Sequence, residues 1–230
     1  VYSIQPCFRA EKSRTRKHLT EFWHIEAEVA FATHEDIMKV EEELVYHIAL
    51  KLTEWGRREL SILGREDFKA PEPPYPKITY DEAVELVNSK GVGMEWGEDF
   101  GAEAEKIIST SFEKPVFITG YPLETRAFYH MPDPKNPRVT LSSDLYAPEG
   151  MGELTTGGQR IHQLNLLIER IREEGLNVED YKWYIDLRRY GSVPHSGFGL
   201  GVERMLRWIA RLDHIREAVM FPRTPARLYP

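Results

Sequence analysis

Three clusters in this 230-residue chain combine residue types that could do chemistry. The first runs Phe8-Arg9-Ala10-Glu11-Lys12-Ser13-Arg14-Thr15-Arg16-Lys17-His18-Leu19-Thr20-Glu21-Phe22. On strand parity Arg9 and Glu11 share one face, and Phe22, His24, Glu26 and Glu28 share one face of the neighbouring strand. One surface then offers an arginine, several carboxylates and an aromatic ring. An arginine held on a strand is a rigid fork for phosphate or carboxylate, and a basic loop beside it can close over a polyphosphate. Taken alone, these residues suit a surface hairpin laced with ion pairs equally well.

The second cluster is Pro194-His195-Ser196-Gly197-Phe198-Gly199-Leu200-Gly201-Val202-Glu203-Arg204. Apolar Met205, Leu206, Ile209 and Leu212 follow at helical spacing, which places Arg204 in a first helical turn beside glycines that let a ligand approach the backbone. The helix dipole disfavours a cation there, so the arginine points towards a ligand more than towards plain strand-on-helix packing. A dinucleotide fingerprint is excluded: the run comes late in the chain, lacks the final glycine at the usual offset and precedes no strand with a ribose-binding acid.

In the third cluster, Gly150-Met151-Gly152-Glu153-Leu154-Thr155-Thr156-Gly157-Gly158-Gln159-Arg160, Glu153 and Thr156 are hard oxygen donors three apart. They suit Mg²⁺ and poorly suit soft metals. Alone, the segment reads as a glycine-rich turn with a capping threonine, leading into a helix that begins near Arg160. His18, Glu21 and His24 straddle a loop and a strand with no third nitrogen or sulfur ligand near in sequence, so they read as hairpin polar residues and not as a zinc site. No Gly-x-Ser-x-Gly nucleophile occurs, and Cys7 shows no activating histidine in sequence.

The elements that must position these groups are legible from periodicity. Val1–Phe8 and Trp23–Phe31 alternate as strands of an antiparallel hairpin with a long basic loop. Ile37 to Leu60 reads as one long amphipathic helix behind a Thr33/Asp36 capping pair, its charges forming a solvated face. After the prolines at 71, 73, 74 and 76, Thr79 to Glu82 caps a short helix reaching about Asn88, and 64–110 reads as an insertion of small helices and loops. Strands are expected at Val116–Tyr121, Arg138–Tyr146 and Tyr181–Leu187, with a helix from Gln159 to Glu174 that stops at Gly175. Strands joined mostly by loops and hairpins imply an α+β fold, an antiparallel sheet flanked by helices.

Composition bounds the rest. The chain is 41% hydrophobic and long enough for one main core, and a single cysteine excludes an internal disulfide. No signal peptide or membrane span is legible, so a soluble, cytoplasmic protein with no membrane partner is expected. The net charge of −7 leaves no bulk cationic surface for wrapping nucleic acid. Any such contact must be local. The opening Val1, already in a strand pattern, suggests a piece of something longer.

Together, Phe8-Arg9-Ala10-Glu11 with His18-Leu19-Thr20-Glu21-Phe22, and Gly197 to Arg204, resemble motifs 2 and 3 of the class II aminoacyl-tRNA synthetases of the aspartyl/asparaginyl/lysyl branch, nearest to its asparaginyl members. Asp144 to Glu153, Asp186-Leu187-Arg188-Arg189-Tyr190-Gly191 and Phe221-Pro222-Arg223-Thr224-Pro225 are similar to that branch as well. The resemblance covers nearly the whole chain as one catalytic domain, with motif 2 at 7–31 and motif 3 at 197–212. It implies ATP-dependent activation of asparagine to asparaginyl-adenylate, then transfer to the 3′ end of tRNA(Asn). On that basis Arg9 grips the α-phosphate and the amino-acid carboxylate, Glu11 the adenine amino group and His18 the γ-phosphate, while Phe22 and Arg204 sandwich the adenine. Gly199 and Gly201 line the nucleotide site, Glu153 and Thr156 hold Mg²⁺, and Glu26, Arg160 and His195 face the amino acid. Glu26 is of asparaginyl type, where aspartyl enzymes usually carry Asp. The family's motif 1 and its anticodon-binding barrel would lie ahead of Val1; with them the resemblance implies a homodimer. The alternatives are an aspartate-accepting ligase, a synthetase-derived asparagine synthetase and a non-catalytic paralogue.

Overall fold

The alternating segments near the start of the chain form a hairpin in the computed structural model, which describes residues 1–10 and 15–229. In chain order the elements are β1 (Tyr2–Phe8), β2 (Glu21–Ala30), α1 (His34–Trp55), α2 (Arg57–Ile62), β3 (Lys77–Thr79), α3 (Tyr80–Ser89), α4 (Ala102–Thr110), β4 (Val116–Thr119), β5 (Pro132–Asp133), β6 (Asn136–Thr140), β7 (Ser142–Ala147), β8 (Gly152–Gln159), α5 (Leu164–Glu173), α6 (Lys182–Arg189), β9 (His195–Gly201) and α7 (Val202–Ile209). Seven strands make one sheet in the order β1-β2-β9-β8-β7-β4-β3, antiparallel throughout except for the β3–β4 pair. Strands β5 and β6 form a separate ribbon.

Helix α1 crosses beneath the centre of this sheet. Its Ile37, Val45 and Ala49 are fully buried, in one cluster with Phe117, Leu145, Phe198, Leu200 and Trp208. Each large apolar side chain removed from water there contributes about 1.5–3 kcal/mol. The expected cap is present, Thr33 Oγ1 accepting from Asp36 N while Asp36 accepts from Thr33 N. The helix is shorter than its periodicity implies: it ends at Gly56, where a Cβ would stand 2.9 Å from the Leu52 carbonyl oxygen, and α2 follows as a separate short helix. Nor is its charge all solvated, because Glu41 is fully buried against β8.

Segment 64–110 carries two small helices, α3 and α4, the former behind the expected Thr79/Glu82 capping box. It also contributes β3 to the sheet edge, where Tyr80, Phe100 and Ile108 pack on Ile118, Tyr121 and Tyr146. Three expectations change. Arg138–Tyr146 divides at Leu141 between the ribbon and the sheet. Gln159 is the last residue of β8, so the helix after it starts only at Leu164. Tyr181–Leu187 is not a strand: its aromatic residues sit at helical spacing, and Tyr184 and Ile185 of α6 close over Phe128, Leu167 and Ile171. Long-range packing overrides a weak strand propensity in that segment. No helix among the described residues is long and apolar enough to cross a membrane.

Candidate functional site

One face of the sheet floors a cavity of about 800 Å³, a size usual for a small-molecule or cofactor site. Phe22, His24, Glu26 and Glu28 of β2 all line it, as parity requires. Phe22 and Glu28 are six residue steps apart along the strand, so the floor is about 20 Å long. At its Phe22 end stand Arg9, with its guanidinium 5.2 Å from the Phe22 ring centroid, and Lys17 and His18 from the loop. At its Glu28 end stand Arg160, Tyr129, His130 and Tyr184.

The glycines of β9 leave room for this floor. A Cβ on Gly199 would stand 2.6 Å from His24 Cε1, and one on Gly197 would run into the Glu28 carboxylate at 2.2 Å. Gly197 and Gly199 of the Gly-x-Gly-x-Gly pattern are therefore a steric demand of neighbouring β2 side chains. Immediately after it, α7 splits an adjacent pair between two tasks. Buried Glu203 accepts from the Trp23 amide through both oxygens, at 2.9 and 3.0 Å, and clamps β2 to the helix. Arg204 turns into the cavity and donates from Nη1 to Glu153 Oε1 at 2.7 Å.

Glu153 and Thr156 could not share a face of a regular strand, being three apart. Leu145 of β7 pairs with Thr155 and the next residue, Tyr146, with Glu153, which leaves Leu154 as an extra residue in β8. This bulge re-aims Glu153 into the cavity beside Thr156, whose hydroxyl donates to Glu153 Oε1 at 3.1 Å. Burial alone would raise the Glu153 carboxyl, but Arg204, Arg126 and Lys17 hold it below its usual range. An ionised carboxylate beside a hydroxyl in this cavity fits a hard divalent cation such as Mg²⁺.

Arg160 is the most completely held cation of the site. Its Nε and Nη2 donate to Glu28 Oε1 at 3.0 and 2.8 Å, and its Nη1 donates to His130 Nε2 at 3.3 Å. Burial, with Arg160 and Arg126 nearby, pushes His130 well below the usual imidazole range, so the ring is neutral and free to accept. Arg160 does not open a helix, as its place after the double glycine suggested. It lies just past β8, bridged to His130.

Of the residues singled out in sequence, the structure brings together Arg9, His18, Phe22, Glu26, Glu153, Thr156, Arg160, Gly199, Gly201 and Arg204. Glu11 lies outside the described residues. His195 is not brought to the cavity: it begins β9, and its ring Nδ1 bonds the Val193 carbonyl at 2.8 Å. Sequence reasoning missed Tyr129, His130, Trp183 and Tyr184, which reach the cavity from a loop and from α6. It also passed over Lys17, which pairs with buried Glu105 of α4. For Lys17 a signal existed, in the basic run of the loop. The aromatic residues carry no spacing that separates them from ordinary core.

Fold and cavity define a class: an antiparallel-sheet core that arrays cations and carboxylates along one face, around one cavity. Residues 1–225 match the family described as tRNA synthetases class II (D, K and N), and the chain belongs to that family. It is 53% identical to the asparagine–tRNA ligase of Thermococcus kodakarensis, over 100% of this chain and 54% of that protein. It superposes with a TM-score of 0.94 and 53% identity on the crystal structure of asparaginyl-tRNA synthetase from Pyrococcus horikoshii complexed with asparaginyl-adenylate, covering 100% of this chain and 53% of that one. Aspartyl-tRNA synthetase from Entamoeba histolytica shares the fold at a TM-score of 0.90 but only 31% identity, over 100% and 48% of the two chains. The chain thus spans about half the length of the relatives it matches.

Proposed function

We propose that this chain is the adenylate-forming core of an asparagine–tRNA ligase. The observation that carries the reading is the single cavity shared by Arg9 and Arg204, with Glu26 and Arg160 farther along the same floor. Identities of 53–56% to curated relatives named asparagine–tRNA ligase support asparagine as the amino acid.

In this reading ATP lies with its adenine between Phe22 and Arg204 and its phosphates towards Arg9, Lys17 and His18. Asparagine lies towards Glu26 and Arg160. Its carboxylate attacks the α-phosphorus in line, pyrophosphate leaves, and Arg9 neutralises the charge that develops on the phosphoryl oxygens. Glu153 and Thr156 would hold Mg²⁺, which supplies further neutralisation of the phosphates when bound. Glu28 and His130 keep the Arg160 guanidinium in one orientation, so the amino-acid side chain meets a fixed donor. The 3′-hydroxyl of the terminal adenosine of tRNA(Asn) then attacks the acyl carbonyl of the adenylate, forming the asparaginyl ester while AMP leaves. Action in the cytoplasm as a homodimer belongs to the same proposal.

Glu26 sets the choice of amino acid. Its carboxylate accepts from the amide NH₂ of asparagine and faces the charge of aspartate unfavourably. Sites that demand a particular hydrogen-bonding partner reject the wrong isostere by roughly 10⁴ or more. The test is pyrophosphate exchange with asparagine and aspartate in parallel, on the protein with all of its native sequence. Exchange should depend on asparagine, and Glu26→Asp should raise the relative use of aspartate at least tenfold. Exchange driven equally by aspartate in the unaltered protein would overturn the reading, and an unchanged ratio in Glu26→Asp would remove Glu26 from its role.

A further inference from the structure

Cys7 and His24 have no task in the activation reaction above, yet the hairpin register brings them together. Cys7 pairs with Phe22 across β1 and β2, and directly opposed residues project to the same side of a sheet. Cys7 therefore stands on the face that carries Phe22, His24 and Glu26. Its Sγ, a ring nitrogen of His24 and a carboxylate oxygen of Glu26 all lie within 4.8 Å of one another, each side chain partly buried. His24 Nδ1 and Glu26 Oε1 are already 2.9 Å apart. The geometry needed to ligate one ion is close: donors around tetrahedral zinc stand roughly 3.3–3.6 Å apart, given Zn–S near 2.3 Å and Zn–N near 2.0 Å. A contraction of about 1 Å from that spacing brings the three donors into ligating range.

The donor set selects the ion. Thiolate, imidazole and carboxylate together suit Zn²⁺ with three protein ligands and one open position, whereas Mg²⁺ avoids sulfur. Two of the ligands sit on one strand and the third on its hydrogen-bonded neighbour, so the backbone holds their spacing. His24 is also backed by Gly199, which leaves no space for the ring to retreat through β9.

We propose that Cys7, His24 and Glu26 form a site for a single Zn²⁺ ion, and that its occupation withdraws Glu26 from the amino-acid end of the cavity and inhibits activation. The site rests on the three side chains alone; only the inhibition rests on the asparagine reading. Burial and the Glu26 carboxylate push the Cys7 thiol up, against the pull of Arg9 and with a smaller push from Glu203. The thiol proton must leave when the metal arrives, so binding tightens as pH rises.

The experiment is titration of the protein, with all of its native sequence, by Co²⁺ as a spectroscopic probe and by Zn²⁺ in competition. One equivalent of Co²⁺ should give a thiolate-to-cobalt charge-transfer band that Zn²⁺ bleaches, and Zn²⁺ should inhibit asparagine-dependent pyrophosphate exchange over the same range. Cys7→Ala should lose the band, weaken Zn²⁺ binding at least tenfold, keep its metal-free exchange rate and become resistant to Zn²⁺. Absence of the band at saturating Co²⁺, or equal Zn²⁺ affinity in Cys7→Ala, would overturn the site. A band without inhibition would overturn the inhibitory role. If exchange with asparagine is absent altogether, the activation reading fails while the band still decides the site.

Discussion

The two faces of the central sheet are built from the same strands and treat charge in opposite ways. On the cavity face carboxylates meet cations close to water, Glu28 with Arg160 and Glu153 with Arg204. On the α1 face Glu41 is fully buried and, among the described residues, forms no ion pair. One of its oxygens accepts from the Thr155 hydroxyl, the other has no hydrogen-bond partner among the described residues, and burial pushes its carboxyl up to about 8. Adjacent Thr155 and Thr156 of β8 thus serve two regimes: an ionised carboxylate is stabilised where a guanidinium and solvent reach it, and a neutral acid where neither does. A sheet of this kind separates a reactive surface from its apolar support by the thickness of one strand.

The comparison breaks first at Arg204. Arg204→Ala removes the cation from the cavity and releases Glu153, and should lower asparagine-dependent pyrophosphate exchange by about 10²–10³, in keeping with the loss of one preorganised charge donor. Circular dichroism should show the fold retained; a loss below about tenfold would mean that the two cavity charges are only structural. Gly157 probes the other face. A Cβ there would lie 2.3 Å from Glu41 Oε1 and 2.9 Å from Phe198 Cβ. Gly157→Ala should therefore destabilise the protein by about 1–3 kcal/mol in urea unfolding, and an unchanged midpoint would mean that α1 is free to move away.

The smallest effect sharpens the contrast between ionised and neutral acids. Because the folded value of Glu41 lies above that of the unfolded chain, its contribution to stability is complete below the ordinary carboxylate range near 4.5 and is lost as pH rises through about 8. Glu41→Gln keeps an acceptor for Thr155 and carries no titrating proton. Its melting temperature should fall less than that of the unaltered protein between about pH 6 and pH 9, by a few degrees. Parallel curves would place the raised carboxyl elsewhere.

How much of this was legible beforehand follows the range of the interactions. Strand parity correctly grouped Phe22, His24, Glu26 and Glu28, because side-chain alternation is a property of adjacent peptide units. The caps at Thr33 and Thr79 and the place of Arg204 in a first helical turn are equally local. The helix α6 was misread as a strand because its helical state is stabilised by aromatic contacts with Phe128 and α5, distant in the chain. The Glu153–Thr156 pair was recognised as an oxygen-donor set, but its alignment depends on a bulge defined only against β7.

By itself the sequence determined which residues could line a floor, where α1, α3 and α7 start, and that the sheet is largely antiparallel, since these rest on the backbone geometry of near neighbours. Tertiary structure alone decided that His130 holds Arg160, that Tyr129 and Tyr184 reach the cavity, and that Cys7 meets His24 and Glu26. Those meetings join segments whose separation along the chain leaves no periodic trace, and they form because strand pairing and burial of the shared apolar core bring the segments together.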